Sequence, residues 1–228
     1  MKACFLSLRA GLLHALLILG LAVAAGAAVA AADNGNSGDE VLDARMALDR
    51  FMDGLESFSA DFTQTVRDDT GYTLQESDGS MHLGLPNRLR WEVTEPFPQI
   101  IVSDGESLWT YDPDLSQATV RPLGDAFDVT PVAAITQPEQ VEDHFRLFMM
   151  PAPSGEAMRV IMMPRSDQAD FTGLEVDLTP EGHLVRMGFR DIFGQETEIR
   201  FRNAERNPDL APGTFRFDPP AGTDIYRP

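Results

Sequence analysis

Three groups of residues have types and spacings that could do chemistry. Asp112, Asp114 and Ser116 stand at alternate positions, as the oxygen ligands of a calcium loop do. The sixth place of such a loop needs a Gly for its sharp turn, but Gln117 stands there and no Glu closes the loop, so the triplet reads as turn residues. His82, His144 and His183 could ligate zinc, yet no two lie within a helical turn of each other, and they read as surface or loop histidines. Lys2 is the only lysine and Cys4 the only cysteine. Beyond them no Walker phosphate loop, Schiff base, Ser-Lys dyad, thiolate nucleophile or disulfide can be assembled. The G-x-S-x-G elbow of esterases does not occur either. The sequence therefore predicts no metal, no cofactor and no catalysis; it predicts surfaces that hold something.

Those surfaces must be built after a leader is set aside. Lys2 and Arg9 precede an apolar run from Ala10 to about Val23 and an Ala-rich tail, and Ala30 and Ala32 fit the A-x-A cleavage preference. Residues 1–32 read as a cleaved secretory signal peptide and residues 33–228 as one domain. Cys4 lies before the apolar run, where it cannot serve as the acylated Cys of a lipoprotein. Removing Lys2 and Arg9 takes the net charge of −18 further down, to −20. Such acidity excludes nucleic acid and anionic membrane as electrostatic partners, and it suits solubility in high salt.

Hydrophobic periodicity then divides the domain. Val41, Leu42, Met46, Leu48, Phe51, Met52 and Leu55 recur at helical spacing and leave Asp43, Arg50 and Asp53 outward. Phe58, Ala60, Phe62, Gln64 and Val66 alternate as a strand that ends at Asp68-Asp69-Thr70-Gly71, with Tyr72 to Leu83 as its hairpin partner. Leu89, Trp91 and Val93 alternate with Arg88, Arg90 and Glu92; Gln99 to Ser103, Ser107 to Asp112 and Gln117 to Arg121 follow as a meander, with Asp104-Gly105 and Asp112-Pro113-Asp114 at its turns. Thr130 at an N-cap and Pro131 at the first helical position start a short apolar helix to Ile135. Strands return at Phe145 to Met149, Ala157 to Met163, Phe171 to Leu178, Leu184 to Phe189 and Glu196 to Arg202. The expected fold is mainly β, a single antiparallel sheet with an N-terminal and a mid-chain helix over one face.

The order of these pieces resembles the LolA family of periplasmic outer-membrane lipoprotein carriers. The resemblance runs through FSADFTQTVRDDTG (Phe58 to Gly71), the PN-x-x-x-W strand from Pro86 to Trp91, IVSDGESLWTYDP (Ile101 to Pro113), TPVAAI (Thr130 to Ile135) and a closing strand TFRFDPPAGTDI (Thr214 to Ile225). It implies an unclosed, curved half-barrel whose helices act as a lid over a concave apolar face. It also implies a monomeric periplasmic carrier that takes triacylated lipoproteins from an inner-membrane ABC release complex to a LolB-like outer-membrane acceptor. A periplasmic lipid- or glycolipid-binding or sensor module of similar shape is the alternative. On this reading the acyl-chain lining comprises Leu48, Met52, Phe62, Leu89, Trp91, Val93, Ile100, Val102, Val132 and Ile135, with methionines suited to repacking around variable chains. One departure stands out. The family commonly carries Arg-Pro where this chain has Leu85-Pro86, and that arginine is implied to hold lid carbonyls. Leu85 cannot donate, which leaves Arg88 or Arg90 as latch candidates on the polar face of their strand.

Overall fold

The computed structural model describes residues 37–123, 141–153, 155–166, 169 and 171–227. The expected helix at Thr130 to Ile135 lies outside these residues. The first element, α1 (Ser37–Met52), buries Ala44, Leu48 and Phe51, a stripe continued by Leu55 just past its end. Steps of four and three residues keep that stripe on one side of the helix. Leu42 and Met46, counted in the apolar face from the sequence, are instead 59% and 50% exposed. Each lies two residues from a buried position, about 200° around the helix. The last turn leaves carbonyls without helical partners. Arg206 donates to Phe51 O and Asp53 O, and Asn207 Nδ2 donates to Gly54 O at 2.8 Å. Gly54 takes φ +62°, which ends the helix without a Cβ clash.

Twelve strands among the described residues form one sheet. They are β1 (Ser57–Arg67), β2 (Thr73–Gly84), β3 (Arg88–Glu95), β4 (Gln99–Asp104), β5 (Ser107–Asp112), β6 (Gln117–Pro122), β7 (Phe145–Pro151), β8 (Met158–Pro164), β9 (Phe171–Leu178), β10 (Leu184–Asp191), β11 (Glu196–Arg206) and β12 (Asp224–Tyr226). One helical turn, α2 (Val141–His144), precedes β7 and is too short for periodicity to reveal. The strand order is β12-β6-β5-β4-β3-β2-β1-β11-β10-β9-β8-β7, so the two halves of the sequence meet where β1 pairs with β11. Different strands occupy the two edges, and the curved sheet stays unclosed.

Hairpins set the antiparallel order, and short polar turns make them. Asp104 Oδ1 accepts from Glu106 N and Ser107 N, with Gly105 at φ +100° between β4 and β5. Asp112 caps its own turn by accepting from Leu115 N at 3.0 Å. The closing segment differs from expectation. Only Asp224–Tyr226 is a strand, and it pairs parallel to β6. Pro208, Pro212, Pro219 and Pro220 lack the N–H that a continuous ladder needs. The segment instead packs side chains on the sheet: Phe217 lies 5.5 Å from Trp109 and 5.3 Å from Tyr111, and Phe215 lies under Arg88.

Candidate functional site

Directly paired residues on neighbouring strands point to the same face, so register sorts the sheet into two surfaces. On one face Phe58, Leu83 and Leu89 form a row across β1, β2 and β3. Ala60, Met81, Trp91 and Ile101 form the next, and Phe62, Gly79 and Val93 a third. All are buried apolar side chains except Gly79. Its missing side chain matters, because a Cβ there would come within 2.1 Å of the Glu92 carbonyl oxygen and 2.6 Å of the Phe62 ring. The open space lets Phe62 and Trp91 stack with centroids 3.9 Å apart and planes 24° apart. Phe201 and Ile199 continue the face onto β11. α1 lies on the same face, because Phe51 meets Phe58 edge-on at 5.9 Å while the helix rests against β7 and β8. This inner face is thus a broad hydrocarbon surface with one helix at its far side.

Residues 53–218 match the family described as "Outer membrane lipoprotein carrier protein LolA". The chain belongs to the LolA family. Outer-membrane lipoprotein carrier proteins of Dechloromonas aromatica and Alkalilimnicola ehrlichii are 39% and 38% identical to it, over 78% and 79% of this chain and 85% and 82% of theirs. Among solved structures, an uncharacterized conserved protein from Thermus thermophilus shares the fold. It has a TM-score of 0.53 and 18% identity, and the match covers 82% of this chain and 99% of that one. No helix among the described residues is long and apolar enough to cross a membrane.

The LolA resemblance assigned roles to particular residues, and the structure sorts them. Phe62, Leu89, Trp91 and Val93 share the inner face. Leu48 is buried on α1 and Met52 half-buried at its end, at the β7–β8 side of that face. Ile100 and Val102 are a correction: they pair with Glu92 and Arg90 on the outer face, where Tyr111 and Trp109 adjoin them and Phe217 packs on those rings. Ile101 takes the inner place instead. The link Pro96-Phe97-Pro98 pairs Val93 with Gln99, and that pairing sets Trp91 opposite Ile101. Val132 and Ile135 lie outside the described residues.

The latch candidates divide similarly. Leu85 sits in the β2–β3 turn, with its N–H donating to Glu56 O at 2.9 Å. Arg88 stands on the outer face with its guanidinium 5.2 Å from the Phe215 ring, and Arg90 donates twice to Glu92 Oε2, at 3.0 and 2.9 Å. Both arginines therefore serve the face opposite Trp91. An arginine not singled out from the sequence does hold a helical carbonyl: Arg165 Nε donates to Glu142 O of α2 at 2.9 Å and to Phe145 O at the start of β7 at 3.1 Å, tying both to the end of β8. No motif flags it, since the bond joins positions twenty and more residues apart.

Electrostatics concentrate on the outer face of β8 to β11. Arg159 forks onto Asp177 at 2.7 and 2.9 Å, and Glu175 bridges Arg159 and Arg186 at 2.9 and 2.8 Å. Arg186 reaches on to Glu198 at 2.8 Å. The bond to Asp177 raises the Arg159 pKa against the pull of burial. Burial pushes the Glu198 carboxyl up, but bonds from Arg186 and Arg200 outweigh it and hold it below the usual carboxylate range. The ladder is internally paired, so it gives this face a charged surface and no hydrocarbon site.

Proposed function

We propose that the inner face holds the acyl chains of lipoproteins, and that the protein carries them through the periplasm from an inner-membrane ABC release complex to a LolB-like outer-membrane acceptor. The observation that carries this reading is the apolar sheet face around the Phe62–Trp91 stack, in a chain of the LolA family. The physical need is large. Moving one long acyl chain from membrane to water costs on the order of 10 kcal/mol, at about 0.8 kcal/mol per CH₂, and a lipoprotein carries three. A matching apolar surface offsets that cost without chemistry, so the role is non-catalytic. An unclosed sheet suits it, because the inner face can be entered along an edge while the ladders between its strands stay intact.

Export follows from the leader at residues 1–32, and the working form is a monomer. The test is incubation of the purified protein with inner-membrane spheroplasts. Release of lipoproteins in a soluble one-to-one complex is the expected result; lipoproteins that stay on the membrane would remove the proposal. Intact mass of periplasmic material should match an unlipidated chain starting near Asp33.

A further inference from the structure

Two buried polar atoms on the inner face have no hydrogen-bond partner among the described residues: Trp91 Nε1 and Gln64 Oε1. Their residues are 3% and 5% exposed. Folded proteins pair buried polar groups almost without exception, so each such atom asks for an explanation. Both flank the Phe62 ring. Gln64 lies two positions along β1 from Phe62 on the same face, and the Phe62 ring is the one stacked on Trp91. Their hydrogen-bonding capacities are complementary, since an indole N–H only donates and an amide oxygen only accepts.

Around them the inner face changes character. Towards the β2–β3 turn it is hydrocarbon: Phe58, Met81, Leu83 and Leu89. Towards the β1–β2 turn it is polar. Ser77 lies directly opposite Gln64, and Thr197 faces Val66 one step further on; both are buried. Ser77 Oγ is occupied, accepting from Gln75 Nε2 at 2.8 Å. A surface meant only for methylene groups gains nothing from an unpaired N–H and an unpaired carbonyl, because neither finds a partner in hydrocarbon.

We propose that Trp91 and Gln64 form a polar subsite for the ester and amide groups that join acyl chains to the terminal residue of a cargo. The Trp91 N–H donates to an ester or amide carbonyl, and Gln64 Oε1 accepts an amide N–H. This deepens the carrier reading and rests on it. The chains then lie towards the β2–β3 turn, and the cargo peptide leaves past Ser77 and Thr197 on the β1–β2 side. Gly79 contributes by leaving room for the Phe62 ring on which the indole stacks.

The test compares three probes on the full chain and on Gln64→Met and Trp91→Phe, which keep apolar bulk and remove the polar atoms. The probes are a synthetic peptide bearing an N-acyl, S-diacylglyceryl cysteine, its ether-linked analogue lacking ester carbonyls, and diphenylhexatriene, a hydrocarbon. Each substitution should weaken the ester-linked peptide by roughly two- to tenfold and leave diphenylhexatriene within about twofold. The unaltered chain should prefer the ester to the ether, and Trp91→Phe should erase that preference. Lipopeptide affinity unchanged in both variants, or equal loss of lipopeptide and hydrocarbon, would overturn the subsite while leaving the carrier intact. If the unaltered chain binds none of the probes, the carrier reading falls and the subsite with it. Thermal unfolding checks the fold, and Gln64→Met should not lower it, because it removes an unpaired buried amide oxygen.

Discussion

The two halves of the sheet handle their faces in opposite ways. Across β3 and β5 the chain's own C-terminal segment packs on the outer face, with Phe215 under Arg88 and Phe217 on Trp109 and Tyr111, and the inner face of β1 and β3 carries the Phe62–Trp91 stack. Across β7 and β8 the inner face is closed by α1, and from β8 to β11 the outer face carries the ladder of Arg159, Asp177, Glu175, Arg186 and Glu198. Every strand has two faces to satisfy, and an exposed hydrocarbon face risks aggregation. Covering one half from outside and the other from inside gives the sheet a buried apolar inner face and a charged back, and the proposed guest would enter at the former. An acidic chain whose single lysine is Lys2 can use arginine forks for that back, because bidentate pairs hold geometry in water and salt better than point charges do.

This contrast can be broken from either side. The largest effect is expected from Leu89→Glu on the inner face. An unpaired carboxylate against acyl chains costs several kcal/mol, so capture should fall by more than about a hundredfold. Ile161→Glu, on the outer face of β8, should leave capture unchanged. Lipoprotein release by the folded variants measures both, and normal capture by Leu89→Glu would place the guest elsewhere. Next comes Arg159→Leu, which strips Asp177 of its fork inside a nearly buried site, leaves Arg186 at 3.7 Å as its counter-charge, and should cost about 2 kcal/mol in denaturant unfolding. Replacing both partners, Arg159→Met with Asp177→Leu, should recover most of that loss, as expected when a buried carboxylate short of its hydrogen bonds is the cause.

Phe217→Ala should cost about 2 kcal/mol, less than a core Phe because the ring is half-buried, and should expose Trp109 to fluorescence quenchers. The smallest effect is a pH dependence. Burial, with Arg90 beside it, lowers the His82 pKa below its ordinary 6.5. The unfolded chain therefore binds that proton more readily, and stability is lost as pH falls from about 6.5 through the folded value. His82→Gln should flatten the slope in that window, and an unchanged slope would show that other groups set it.

Much of the architecture was legible in the residues. The alternation over Ser107–Asp112 and Phe171–Leu178 matches β5 and β9 to the residue, and other strands differ at their ends by a few positions. Extra length at β11 reflects its long pairing with β1, a contact between positions more than a hundred residues apart that local pattern does not carry. The candidate lining was partly legible: Leu89, Trp91 and Val93 share a face because alternation within one strand is local. Ile100 and Val102 were misplaced because their face depends on how β3 and β4 register across a three-residue link.

The residues by themselves settled where most strands and turns fall and which positions alternate within each strand, since these depend on composition and on neighbours a few positions apart. Tertiary structure alone decided which of two faces looks inward, that Arg88 and Arg90 turn away from Trp91, that the proline-broken C-terminal segment packs on the back of β5, and that Gln64 Oε1 and Trp91 Nε1 are buried without partners among the described residues. Those outcomes rest on register and packing between distant strands, and a shift of one residue in any ladder would have reversed them.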